Sequence, residues 1–292
     1  MKKKAYKAVI LAVLALAAVC FIFPLVLTLT NSFMSQREIE ENYGALADSW
    51  TNDQYGVKHT VFLKPKFIPD EVVLKQYYTV LVKKTQFLYM VWNSIFLTVP
   101  IILGQILVAS MAAYAFAKTG LKWRNRLFLI YITVMLMPFQ VTLVPNYLVA
   151  SQLGLTDTYW SIILPGIFGT FGVFLLKQYM EYIPDSYLEA AKVDGAGHLQ
   201  VFARVVLPMS KSGIAALAIL LFIDNWNMVE QPLIFINDGA RQPLSIYLSR
   251  INNEEQSVAF AASTLYMLPG LLIFLYGENY LVEGIQLSGI KG

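Results

Sequence analysis

Two stretches concentrate the groups able to do chemistry. The first is Phe222 to Asp238, FIDNWNMVEQPLIFIND, inside a run otherwise apolar enough to cross a membrane. It carries the carboxylates of Asp224 and Glu230, the amides of Asn225, Asn227 and Gln231, and the indole of Trp226. An Asp at the centre of a membrane helix costs at least ~2.5 kcal/mol on insertion scales, so it persists where it faces a cavity, a partner helix or water. Asp224, Asn227 and Gln231 stand at i, i+3 and i+7, one face of a helix. The available chemistry is hydrogen bonding, either to a passing solute or to neighbouring spans that it would fix in the bundle. The second stretch is Glu189 to Pro208, EAAKVDGAGHLQVFARVVLP, a polar, glycine-punctuated insert.

The physics of the insert is that of a knob. Ile183-Pro184-Asp185-Ser186 is a helix-start signal, and Leu188 to Lys192 are good helix formers. Gly195 and Gly197 permit the positive φ values of a sharp reversal. A second amphipathic turn follows, with Leu199, Phe202, Val205 and Val206 near one face, and Pro208 closes it. Glu189, three residues after Ser186, could serve locally as a capping-box carboxylate, which does not exclude a docking role.

Enzymatic motifs are absent. The chain has no G-x-x-x-x-G-K-[ST] phosphate loop, no H-E-x-x-H and no G-x-S-x-G. Its one cysteine, Cys20, excludes a disulfide framework, and His59 and His198 lack partners at metal-ligand spacing.

The elements that must position these groups are membrane spans. Of 292 residues, 57% are hydrophobic and only 14% charged, against about 25% charged in soluble domains. Apolar runs long enough to span predict six helices, at about 8–30, 87–116, 127–147, 160–179, 213–236 and 258–276. The first is read as an uncleaved span; a secretory signal is the competing reading, and its apolar core would be unusually long. Residues 31–86 form a long connector, with an interfacial helix expected around Val72 to Val82 and otherwise solvated. Gly104, Ala109, Ser110, Ala112 and Ala113 in the second span, and Gly166, Gly169 and Gly172 in the fourth, supply small residues for close packing. Pro138 and Pro145 break the third span around Gln140 and Thr142, as tolerated where backbone lines a cavity. A polar tail is expected over 278–292.

Charge gives the sidedness. The N-terminal segment, the 117–126 loop and the 177–211 segment hold four Lys/Arg each; the 148–159 loop holds none and the 237–256 loop two. The positive-inside rule then puts both termini and the knob in the cytoplasm, and the 31–86 connector outside.

The knob spacing is Glu189-Ala190-Ala191, three residues, Gly195, nine residues, then Val205-x-Leu207-Pro208. This resembles the EAA loop of bacterial ABC importer permeases, with Val205 in place of Ile. Phe222 to Asp238, the Ala112 to Ala117 run and the Tyr280 to Gly292 ending are similar to the second permease subunit of carbohydrate importers, the maltose-transporter G-type. The resemblance is weakest over 35–65, and Asp224 and Glu230 make the fifth span more acidic than that family leads one to expect. It implies an all-α integral membrane protein of six transmembrane helices, type I in fold, with a cytoplasmic coupling helix in the loop 181–211. It implies coupling contacts through Glu189, Ala190, Ala191, Asp194, Gly195 and Gly197. The implied partners are a homologous permease subunit, two cytoplasmic ATPase subunits that bind ATP and Mg, an extracytoplasmic solute-binding protein, membrane lipid and a sugar, with no nucleic acid. This chain itself would bind no cofactor. Asn and Gln amides with Trp226 suit sugar hydroxyls and the apolar face of a pyranose ring. The alternatives are a permease for a non-sugar solute such as glycerol phosphate, a gradient-driven secondary transporter, and a membrane scaffold.

Overall fold

The computed structural model describes residues 2–43, 66–120, 122–248 and 255–289; much of the expected outer connector, and the end of the tail, lie outside them. Helices α1 (Lys2–Asn31), α2 (Thr85–Lys118), α3 (Arg124–Met135), α4 (Phe139–Gln152), α5 (Trp160–Ile167) and α6 (Thr170–Glu181) come first. The knob follows, as α7 (Asp185–Val193) and α8 (His198–Val201), the latter running through a π turn over Phe202–Val206 into Leu207–Met209. Then come α9 (Lys211–Trp226), α10 (Glu230–Phe235), α11 (Leu244–Leu248) and α12 (Gln256–Gly289). No strand occurs among the described residues.

Among the described residues, four helical segments are long and apolar enough to cross a membrane, counting α5 with α6 as one, and there are up to six spans if each bent pair counts as one. The third span is broken, as its prolines led one to expect, into α3 and α4, meeting at 94°. Pro138 explains the break, since it lacks an N–H and disfavours helical backbone at the residue before it; the second break expected at Pro145 is absent, because α4 runs through it from Phe139 to Gln152. The segment His198–Met209 meets α9 at 73°. The fourth span is interrupted between α5 and α6 at Phe168 and Gly169, and the fifth between α9 and α10 at Asn227 to Val229. The sixth helix does not stop at a polar tail; α12 continues to Gly289.

The chain divides into two compact units, Met1–Leu88 with Tyr247–Leu268, and Tyr89–Ile246 with Pro269–Gly292. In the first unit, residues after α1 are pinned by polar contacts. The Gln76 amide donates to the carbonyls of Ser32 (2.7 Å) and Met34 (3.1 Å), and the Tyr77 and Ser32 hydroxyls lie 2.6 Å apart. Buried Glu38 accepts from the Lys66 ammonium and the Asp70 N–H, both at 2.9 Å. Lys84 pairs with Glu255. The helix expected around Val72 to Val82 starts only at Lys75 and turns π-helical at Thr79. Its buried side chains, Gln76 and Val80, face protein rather than solvent.

The second unit holds two apolar clusters. One gathers Ala109, Ala113 and Tyr114 of α2 with Leu176 and Met180 of α6 and Leu217 of α9, and extends to Leu188, Val201 and Val206 of the knob. The other gathers Leu97 and Ile101 with Ile162, Ile163, Phe235 and Ile236. Between α2 and α5–α6 the two small-residue stripes do meet. A Cβ on Gly104 would lie 2.5 Å from Ile167, one on Gly166 3.0 Å from Ile101, one on Gly169 2.6 Å from Gln105 and one on Gly172 3.0 Å from Ala109. Backbones this close give dispersion contact along two helices without a hydrophobic driving force, which lipid does not supply.

Candidate functional site: a knob and a cavity at helix breaks

The knob is helix, turn, helix, as its sequence requires. Leu188, Val201 and Val206 are buried against the bundle, while Glu189, Ala190, Asp194, Gly195 and Gly197 are exposed and Ala191 is half-buried. Gly195 takes φ +82°, the left-handed value that closes the turn; Gly197 does not, at −72°. One positive-φ residue suffices because α7 ends with Gly195 N–H on the Lys192 carbonyl and Ala196 N–H on that of Ala191. The capping box anticipated at Ser186 is not formed. The helix starts two residues earlier, at Asp185, with Pro184 as N-cap and no side-chain cap bond. Gln200 instead accepts from the Gly197 N–H at 3.0 Å, at the start of α8. The expected second amphipathic face is re-registered. The π turn over 202–206 adds a residue to the turn, so Val201 and Val206 go inward and Leu199 stays exposed. The outer knob surface is thus Glu189 with the exposed apolar side chains of Tyr187, Val193 and Leu199.

The knob is tied to the C-terminal end of α2. The Lys118 ammonium, its side chain only 5% exposed, donates to the Ile183 carbonyl at 2.5 Å and to Asp185 Oδ1 at 2.7 Å. That hydrogen bond and its charge hold the Asp185 carboxyl below the usual carboxylate range.

The second stretch lines a cavity of about 490 Å³, whose walls carry Asp224, Asn225 and Gln231 together with Thr142, Asn146 and Thr170. An adjoining cavity of about 330 Å³ is bounded by Asp224, Asn225, Asn227 and Gln231. The three helix breaks converge here: Met137 and Phe139, Phe168 to Thr170, and Met228 all lie on the larger wall. Broken backbone leaves peptide groups without intrahelical partners, which stay in a membrane bundle only where protein or an aqueous cavity serves them. At the fifth-span break the cause is local. Asn225 and Asn227 turn their amides back onto the carbonyls of Leu221 (2.8 Å) and Ile223 (2.7 Å), competing with the helix ladder. Pro232 cannot bond the Met228 carbonyl, which instead accepts from the Ser245 hydroxyl at 2.5 Å.

The one-face arrangement of Asp224, Asn227 and Gln231 therefore arises across a break, not along a continuous helix. Glu230 lies off the cavity wall and accepts from the Gln140 amide at 3.2 and 3.4 Å. Trp226 is not on the wall either: it is 5% exposed and stacked on Phe222, ring centroids 5.3 Å apart. Its indole is spent on packing, so the apolar surface of the cavity comes from Phe139, Phe168, Phe235 and the methionines. Asn146, Thr170 and Lys118 went unmarked as site residues in the sequence. Asn146 beside Pro145 carried a usable signal, a polar side chain next to a proline within a span.

A helix bundle of membrane length, broken around a mixed polar and apolar cavity and carrying a rigid knob, defines a transport permease. The chain belongs to the family of binding-protein-dependent transport system inner membrane components, whose model matches residues 79–285. It is thus a membrane permease subunit of an ATP-binding-cassette importer, not a catalytic subunit. Among curated relatives, the arabinooligosaccharides transport system permease protein AraQ of Halalkalibacterium halodurans is 30% identical over 212 residues, covering 70% of this chain and 75% of the relative. The sn-glycerol-3-phosphate transport system permease protein UgpE of Pectobacterium atrosepticum is 33% identical over 207 residues, 69% and 73% of the two chains. A crystal structure of a bacterial ABC transporter involved in import of the acidic polysaccharide alginate contains a chain of the same fold, with TM-score 0.77 and 23% identity over 96% of this chain and 98% of that one.

Proposed function

We propose that the chain forms one half of the translocation pore of a sugar or oligosaccharide importer. It pairs with a homologous permease subunit, receives solute from an extracytoplasmic binding protein, and is driven by two cytoplasmic subunits that bind ATP and Mg and hydrolyse the nucleotide. Both termini and the knob lie in the cytoplasm. The exposed surface of Glu189, Val193 and Leu199 docks on an ATPase subunit, with Gly195 holding the turn. ATP-driven closure of the ATPases shifts the population between inward-open and outward-open bundles, and the cavity at the helix breaks is this chain's share of the solute path.

The observation that carries this reading is the knob, whose inner face is buried against the bundle while Glu189, Asp194, Gly195 and Gly197 stay exposed. The cavity supports a neutral, hydroxyl-bearing solute. Amides and hydroxyls from Asn146, Gln231, Thr142 and Thr170 offer donors and acceptors beside aromatic and thioether surface. The named relatives keep a glycerol phosphate permease as the competing reading. The larger wall bears a single ionisable group, Asp224, and no cation, so a phosphate would meet like charge without compensation from this subunit.

Co-purification of the assembled complex tests the reading. The ATPase subunit should accompany the wild-type chain. Gly195→Pro, which cannot adopt φ +82°, should abolish its capture, and Glu189→Ala should weaken capture or solute-stimulated hydrolysis. Absence of any ATPase from the wild-type preparation, or wild-type behaviour of both variants, sinks it.

A further inference from the structure

We infer that Lys118 is a positioning residue for energy coupling: it clamps the start of the knob to the inner end of α2, and α2 carries knob displacement to the cavity wall. The inference rests on the knob being the ATPase contact.

Three contacts form the line of transmission. At its inner end the buried Lys118 ammonium bonds two oxygens that flank the start of α7, the Ile183 carbonyl and the Asp185 carboxylate. In the middle, α2 lies against α5–α6 at the glycine approaches of 104, 166, 169 and 172, so the helices cannot slide without collision. At the far end, Ile101 of α2 is itself on the cavity wall, and buried Gln105 donates its amide to the Gly169 carbonyl at 3.2 Å, at the α5–α6 break. From Lys118 to Ile101 is about 25 Å of unbroken helix at 1.5 Å per residue. Helices interlocked by packing move as bodies and do not deform gradually.

A lysine near a membrane surface has a simpler use, which is to extend its charge to water. Lys118 does the opposite. Its side chain is 5% exposed while the Asp185 side chain is 74% exposed, so the cation is drawn inward to the knob's backbone. Removing it leaves the Ile183 carbonyl without that donor and Asp185 without its hydrogen-bonded cation, with only the charges of Arg124 and Lys192 nearby, yet leaves the docking surface and the cavity untouched. The link from knob to α2 would then be apolar, through the cluster of Leu188, Val201 and Val206 and the Tyr114–Phe202 ring contact, centroids 5.3 Å apart.

The test uses the assembled importer, with Cys20→Ser and a reporter thiol, Thr142→Cys, on the cavity wall. The rate of reaction with a methanethiosulfonate reagent is compared in the apo state and after trapping with Mg-ATP and vanadate, after subtracting a complex without the reporter. We expect Lys118→Met complexes to retain the ATPase subunit and its basal hydrolysis, while the nucleotide-dependent change in reporter rate shrinks about fivefold, the lower end of typical coupling. Lys118→Arg, which can still reach two oxygens, should restore most of it. A full reporter response in Lys118→Met overturns the inference and leaves the docking reading standing. Should that complex fail to form, Asp185→Ala reads the same clamp from its exposed side, where lost response supports the inference and full response overturns it. A wild-type chain that captures no ATPase overturns the docking reading, and this inference with it.

Discussion

The knob draws all its residues from one stretch, 183–209, whereas the cavity wall is collected from positions as distant as Ile101 and Phe235. The knob is made by local chemistry: good helix formers, one left-handed glycine, and a side-chain cap from Gln200 to the Gly197 N–H. The cavity is made by absence, at three places where proline, glycine or asparagine stops a helix and the bundle leaves the ends facing one another. In the proposed reading, the part that docks on a soluble partner is thus specified by its own sequence, while the part that changes shape is specified by packing between segments. Variants should separate the two.

The largest effect is expected where segments meet. In Gly104→Val the first added carbon would stand 2.5 Å from Ile167. Overpacking of this kind costs about 1–3 kcal/mol, and here it wedges α2 from α5 next to the cavity. Thermal unfolding of the complex should occur at lower temperature and uptake should fall, while the knob, built locally, still captures the ATPase. Loss of capture together with stability would show the knob to depend on the same long-range packing, and would erase the distinction.

A smaller effect is expected at the wall. Asp224→Ala should lower uptake of the cognate solute about tenfold, equivalent to about 1.4 kcal/mol, with ATPase capture unchanged. Asn227→Ala should act in the same direction but less, since its amide already bonds the Ile223 carbonyl. Unchanged uptake kinetics and solute preference in both would remove these residues from the path and leave them as bundle contacts.

The same contrast decides what the sequence could tell. The knob was legible to the level of Gly195 because its anchors are consecutive and each acts on its neighbours. It was misread where backbone register changes within a turn: Val206 goes inward as expected, but the π turn pairs it with Val201 while Leu199, expected on the same face, is exposed. The spans were legible as apolar length, and the glycine stripe of the fourth span correctly foretold close packing. Their breaks were legible only where proline marks them, at Pro138; the break at Asn227 to Val229 depends on asparagine back-bonding and on Ser245, 17 residues beyond Met228, serving the carbonyl freed by Pro232. Trp226 was assigned to the wall by its chemistry, but a large aromatic beside Phe222 gains more by stacking in the core. Lys118 was read only as one positive charge among four in a loop, because its partners stand 65 and 67 residues away.

The smallest effect concerns pH and probes the seam between knob and bundle. Lys118 holds the Asp185 carboxyl below its ordinary value. A carboxyl with a depressed folded-state pKa contributes stability above its unfolded pKa of about 3.9 and loses it as pH falls through the lower folded value. The clamp should therefore be indifferent to pH from 8 down to about 4 and should loosen only below that. Because Asp185 is at the surface, solvent screens the pair and the change in stability should be slight. The measurement is the difference in acid unfolding between wild type and Asp185→Asn, which cancels the titration of other carboxyls. The wild type should hold its advantage through mild acid, with the two curves converging only at the acid end. Convergence already near pH 6 would mean that the carboxyl is not held by Lys118, and that the knob is joined to α2 by its apolar face alone.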